Sequence, residues 1–240
     1  MDFDESMSSD ELQDIAFQCE LKKDYVKAFA YMEKAAGKGD ILAQYYLGTY
    51  YEKGQGVEKN YAKAAELYER VSECREPLVL ADPIMPLTPQ CDAEYSLGQF
   101  HEKGFLPDSS EEKAAEWYMK AGEDGSEEAN LKMAQWYFDS RGVEQNDEMA
   151  ANYLLSVAHT MLDVEDLSGE LFPLCLKLAA KDVSLKSGVF RLLGTLYEKG
   201  LGTEPSYEKA KEYYARAGEL EEKELEEIGL NGVPLTGFAF

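Results

Sequence analysis

One frame of residues returns four times along this chain, and a sequence that repeats itself at such an interval folds as a row of similar units. Ala43-x-x-x-Leu47-Gly48 is followed by Tyr51-Glu52-Lys53-Gly54 and then by Lys63-Ala64-Ala65-Glu66-Leu67-Tyr68. The frame returns as Ala93-x-x-x-Leu97-Gly98, His101-Glu102-Lys103-Gly104 and Lys113-Ala114-Ala115-Glu116-Trp117-Tyr118. A third copy holds Ala129, Met133-Ala134, Tyr137, Gly142-Val143, Ala150-Ala151 and Tyr153-Leu154. The fourth holds Leu193-Gly194, Tyr197-Glu198-Lys199-Gly200, Gly202, Lys209-Ala210 and Tyr213-Tyr214.

Within a copy the apolar and small residues recur at helical spacing, so each unit reads as two helices. Gly54, Gly104 and Gly200 stand where a helix ends in a left-handed residue. Asn60, Ser110, Asn146 and Ser206 stand where the next helix needs an acceptor for its free N–H groups. Gly48 and Ala64 let two backbones approach, while Tyr51 and Tyr68 fill the space beside them as core residues. Residues 25–39, capped by Asp24, match a second helix, and residues 9–22 supply its partner. About five helix pairs follow, near 9–39, 40–74, 91–125, 126–161 and 187–220, stacked as one domain over 1–240.

These motifs resemble the Sel-one-like repeat (SLR) proteins, relatives of the tetratricopeptide repeat. Ala43 to Val57 and Lys113 to Gly125 match the family pattern almost letter by letter, and the resemblance spans roughly residues 9–218. It implies an all-α, right-handed α/α superhelix (a solenoid) whose first helices line a concave surface. It also implies a non-enzymatic adaptor, scaffold or regulator that binds other proteins. The departures are His101 in a Tyr position, Ala134 and Ser140 where Gly is usual, and two insertions.

The first insertion, 75–90, carries Pro77, Pro83, Pro86 and Pro89, half of the chain's 8 prolines, and is expected to cross between repeats as an extended apolar loop. Its side chains either seal the crevice between repeats or form a lip for a partner. The second, 162–186, is expected to fold as two short helices divided near Pro173, or as one lying crosswise. Leu171, Phe172, Leu174, Leu176 and Leu178 predict that it is packed. The tail 228–240 has no charged side chain and is expected to cap the last pair, or to serve as a binding peptide.

A net charge of −23 disfavours nucleic acid and anionic membrane as partners and permits a basic protein. Twelve of those charges lie in residues 1–20 and 219–240, where solubility explains them. No apolar run reaches membrane-span length, and the amino terminus lacks a secretory pattern. Cys19, Cys74, Cys91 and Cys175 form no CxxC pair and read as reduced thiols of a cytoplasmic protein, although Cys74 and Cys91 flank one loop. The only two histidines, His101 and His159, fall on different helices, and His101 reads as a hydrogen-bonded interior residue. No catalytic motif occurs, and Gly54-Gln-Gly56 and Gly200-Leu-Gly202 follow helices rather than strands. The acidic run Glu221 to Glu227 reads as a solvated helix face. Neither a catalytic residue, a metal site nor a cofactor is expected.

With the family geometry, the concave face would carry Tyr45, Tyr95, Leu131 and Arg191, then Thr49, Gln99, Gln135 and Thr195, then Glu52, Glu102, Phe138 and Glu198. Tyr and Arg are the side chains that anchor interfaces, so Tyr45, Tyr95, Gln99, Gln135, Phe138 and Arg191 are the expected partner contacts. The function expected is a monomeric cytoplasmic adaptor holding a helix or extended peptide of another protein. The alternative is an acidic immunity or inhibitor protein that masks a basic effector.

Overall fold

The protein is described by a computed structural model over residues 6–74, 89–161, 165–181 and 185–227, with side chains except at 159–168 and 224–227. The loop 75–88, the tail 228–240 and the His159 side chain, on which several of these expectations fall, lie outside the described residues. Eleven helices and no strand occur among the described residues: α1 (Ser9–Leu21), α2 (Tyr25–Gly37), α3 (Ile41–Lys53), α4 (Tyr61–Ser72), α5 (Pro89–Glu102), α6 (Glu111–Glu123), α7 (Glu127–Asp139), α8 (Asp147–Met161), α9 (Glu165–Ala179), α10 (Lys186–Lys199) and α11 (Tyr207–Glu227). The chain is an all-α helical repeat protein.

Short polar residues start these helices. Ser8 forms a capping box with Glu11, its own N–H donating to Glu11 Oε2 at 2.8 Å while Glu11 N–H donates to Ser8 Oγ at 3.2 Å. Asp40, Asn60 and Asn146 accept from the third residue of α3, α4 and α8 at 2.8, 3.0 and 3.0 Å. Each satisfies an N–H that the helix itself cannot. Gly54, Gly104 and Gly200 take φ of 69, 68 and 73°, the left-handed region. In the third copy Ser140 holds φ 57° without the glycine, at roughly 1–2 kcal/mol.

The helices form two compact units, Met1–Ala129 and Asn130–Phe240, with α7 beginning in the first. In the first, α1 packs on α2, α3 on α4 and α5 on α6, and α2 meets α3 as α4 meets α5. Packing inside a pair follows one rule: a Cβ added to Gly48 would lie 2.6 Å from Tyr68 Cε1, and one on Gly98 2.6 Å from Tyr118 Cδ1 and Cε1. The ring of the second helix therefore rests on the bare backbone of the first. Its hydroxyl then donates to the glutamate one turn beyond that glycine, Tyr68 to Glu52 at 2.7 Å and Tyr118 to Glu102 at 2.5 Å. The α1–α2 pair has Ala16 and Met32 at these two places, both fully buried.

In the second unit the rule recurs at Gly194 and Tyr214, whose hydroxyl donates to Glu198 at 2.8 Å. The third copy changes all three members at once, to Ala134, Leu154 and Phe138. A methyl where glycine stood leaves room for leucine and not for tyrosine.

Of the two expectations for the second insertion, the division into two short helices is corrected: a single helix, α9, runs through Pro173. It packs on both α8 and α10, which also touch each other. Proline in a helix interior costs about 3 kcal/mol, yet Leu171, Leu174, Cys175 and Leu178 recur at helical spacing and are all buried in the unit's core. At roughly 1.5–3 kcal/mol per buried leucine, that face outweighs the missing hydrogen bond. Leu176, counted among the packing residues, is instead exposed.

Candidate functional site

The face formed by the first helix of each pair carries the expected contact residues, and each unit presents its own share. On α3 and α5 of the first unit the register is Tyr, polar, Glu: Tyr45, Thr49 and Glu52, then Tyr95, Gln99 and Glu102, with both tyrosines half-buried. The ring of Tyr45 lies 6.0 Å from that of Tyr68, and the ring of Tyr95 5.4 Å from that of Tyr118. Each face tyrosine thus leans on the tyrosine that seats on the neighbouring glycine.

Tyr45 also donates its hydroxyl to Asp92 Oδ2 at 3.3 Å, which ties α3 to α5. Burial, and then the Asp92 charge, push the Tyr45 phenol far above its ordinary range, and burial with Glu52 does the same for Tyr68. Both stay neutral donors at any physiological pH. Asp92 is itself raised, by burial first, with Glu128 adding and the Tyr45 hydroxyl opposing. The strip therefore offers aromatic edges and carboxylate acceptors, suited to stacking and to receiving N–H donors or cations.

In the second unit the expected residues are already engaged. Gln135 donates to Asp139 one turn on. Phe138 lies beneath Lys177 of α9 and Lys181 just after it, whose ammonium nitrogens sit 5.4 and 5.2 Å from its ring centre. Arg191 is exposed and forms an ion pair with Glu221 of α11. Thr195 donates back to the Arg191 carbonyl at 3.2 Å and lies 3.1 Å from the Tyr214 hydroxyl. Leu131 is buried.

Several participants could not be read from the repeat pattern. Asp92, Lys177, Lys181 and Glu221 occupy places that the frame leaves unspecified, so self-similarity carries no signal for them. A deeper polar group, also unforeseen, joins α4, α5 and α6: Lys120 Nζ lies 3.1 Å from Glu94 Oε1, and Ser72 Oγ donates to that oxygen at 2.9 Å. The Glu94 side chain is fully buried, and burial raises its carboxyl above the usual range despite Lys120 and Ser72.

Groups suited to catalysis are sparse. His101 is buried, as expected of an interior residue, burial lowers its imidazole below the ordinary value, and Nδ1 has no hydrogen-bond partner among the described residues. No group of three or more His, Cys, Asp or Glu side chains among the described residues could hold a metal ion. The cysteines are thiols, with Cys91 and Cys175 buried. No helix is long and apolar enough to cross a membrane among the described residues.

The profile of the Sel1 repeat matches residues 18–40, 41–74, 91–126, 127–158 and 191–221, more than half of the chain. Among solved structures, the chain is similar to a protective antigen of uropathogenic Escherichia coli that displays an SLR fold, with 20% identity and a TM-score of 0.57. That match covers 95% of this chain and 51% of the antigen, so the chain spans about half of its length. A Sel1 repeat protein from Oxalobacter formigenes aligns over 88% of both chains, with 21% identity and a TM-score of 0.53. At these identities the likeness carries the fold alone. No curated protein matches the chain.

Proposed function

The chain belongs to the Sel1 repeat family, a non-catalytic family whose members generally mediate protein–protein interactions, and on that premise we propose that it is an adaptor or scaffold binding a helix or extended peptide of another protein. The observation that carries this reading is the repeated register of Tyr45, Thr49 and Glu52 with Tyr95, Gln99 and Glu102 on two neighbouring first helices. Half-exposed tyrosines whose rings are braced from behind lose little freedom on binding, which is why such side chains anchor interfaces. Carboxylates alongside favour a partner segment bearing lysine or arginine. The adaptor acts as a monomer in the cytoplasm, with the partner seated across α3 and α5.

Capture from an extract of the native cell on the immobilised full chain, at low and high salt, tests this reading beside the variants Tyr95→Ala and Gln99→Ala. Several moderate partners whose recovery falls with both variants support it. Recovery untouched by either variant refutes the assigned face. A single basic protein, released by salt, would favour the acidic inhibitor.

A further inference from the structure

The third repeat departs from its neighbours in a coordinated way, and the departure lies beneath the inserted helix. Where the second, third and last pairs place Glu52, Glu102 and Glu198 to receive a tyrosine hydroxyl, this repeat places Phe138. Lys177 on the last turn of α9 and Lys181, just past its end, cover that ring. Lys181 is further tied to Asp147 at the start of α8 by an ion pair of 3.2 Å. Beside Phe138 on α7 lies a recess of about 130 Å³, lined by Leu131, Gln135 and Asp139 together with Glu170 of α9. Pockets for drug-sized ligands are larger, roughly 300–1,000 Å³.

We infer that α9 is an intramolecular occupant of the first-helix face of the third repeat, closing to partners a stretch that α3 and α5 leave open. Its inward face is fixed by Leu171, Leu174, Cys175 and Leu178, all at most 4% exposed. The cover is thus part of the unit's core and does not wait for a signal. The exchange of glutamate for phenylalanine gives the lysine stems an apolar seat, with the charges still reaching solvent. Resting on the adaptor reading, this confines a partner's footprint and removes Phe138 from the anchors assigned by register.

The test uses the free protein, so it is decided whether or not a partner is ever found. Glu102→Cys and Phe138→Cys, at equivalent register, are labelled with a maleimide in the full chain, and site-specific rates are read by peptide mass spectrometry. The thiol at 138 should react severalfold more slowly than that at 102. Hydroxyl-radical footprinting of the unsubstituted chain gives a second measure, in which Phe138 should be modified more slowly than the exposed Phe105. Equal labelling at 102 and 138, or oxidation of Phe138 as fast as that of Phe105, overturns the occupancy.

Discussion

Gly98 lies directly beneath the Tyr118 ring, and replacing it by alanine tests the packing rule directly. The new methyl would lie 2.6 Å from Tyr118 Cδ1 and Cε1, where carbon atoms in contact keep about 3.5–4.0 Å. The ring must therefore retreat by about 1 Å in a site where Tyr118 is fully buried. Overpacking of this kind costs about 1–3 kcal/mol, and straining the hydroxyl bond to Glu102 adds about 1 kcal/mol. Helix propensity returns about 1 kcal/mol. The net expectation for Gly98→Ala is a loss of about 1–3 kcal/mol, read as a lower urea midpoint by circular dichroism and by fluorescence of Trp117, the residue before Tyr118 in α6. Tyr118→Leu alone leaves a cavity and destabilises by about 1–3 kcal/mol. The double variant recreates the Ala134 and Leu154 combination of the third repeat, so it should lose at least about 1 kcal/mol less than the two singles together. Gly98→Ala as stable as wild type, or strictly additive effects, would refute the reasoning.

Three further outcomes follow from the geometry. His101 is buried with its pKa lowered, so the unfolded chain takes up a proton first, and the stability present above about pH 6.5 falls away as pH drops. His101→Tyr restores the residue that Tyr51 and Tyr197 supply elsewhere, facing Lys113, Asp108 and Glu116, and thermal melts at pH 7 and pH 5 should differ less for it than for wild type. Lys120→Met leaves the Glu94 carboxyl buried with Ser72 alone and should cost about 2 kcal/mol in denaturant unfolding, discounted because Lys120 is 39% exposed. Gly56→Ala drives a methyl to 2.0 Å from the Tyr25 carbonyl oxygen, whereas Gly104 has open space and only its positive φ to lose. Gly56→Ala should therefore lose at least about 3 kcal/mol and Gly104→Ala about 1–2 kcal/mol, so equal melting temperatures would contradict the steric argument.

The fold was legible where local chemistry and packing demand the same residue. A helix start needs an acceptor, and Asn60, Asn146 and Ser110 supply one; a ring seated on a backbone needs glycine beneath it, and Gly48, Gly98 and Gly194 lie under tyrosines. The insertion was not legible, because Pro173 carries a local rule against helix that the burial of Leu171, Leu174 and Leu178 overrides. At the candidate site, register places Tyr45, Tyr95 and Gln99 together on the first-unit face. Register is silent on what each side chain already holds. Asp92 engages Tyr45, Glu221 engages Arg191, and lysines from outside the repeat cover Phe138.

The tie made by Lys120 bears on how the first unit comes apart. It reaches the carbonyl of Ser72, at the end of α4, at 3.3 Å, while pairing with Glu94 on α5. In a row of helix pairs that touch only their neighbours, fraying can begin at an end and run inward one hairpin at a time. Here, peeling α6 away leaves a buried carboxyl on α5 without its cation and frees the last turn of α4 in the same event. The second and third pairs are therefore expected to melt together, as one step within the row.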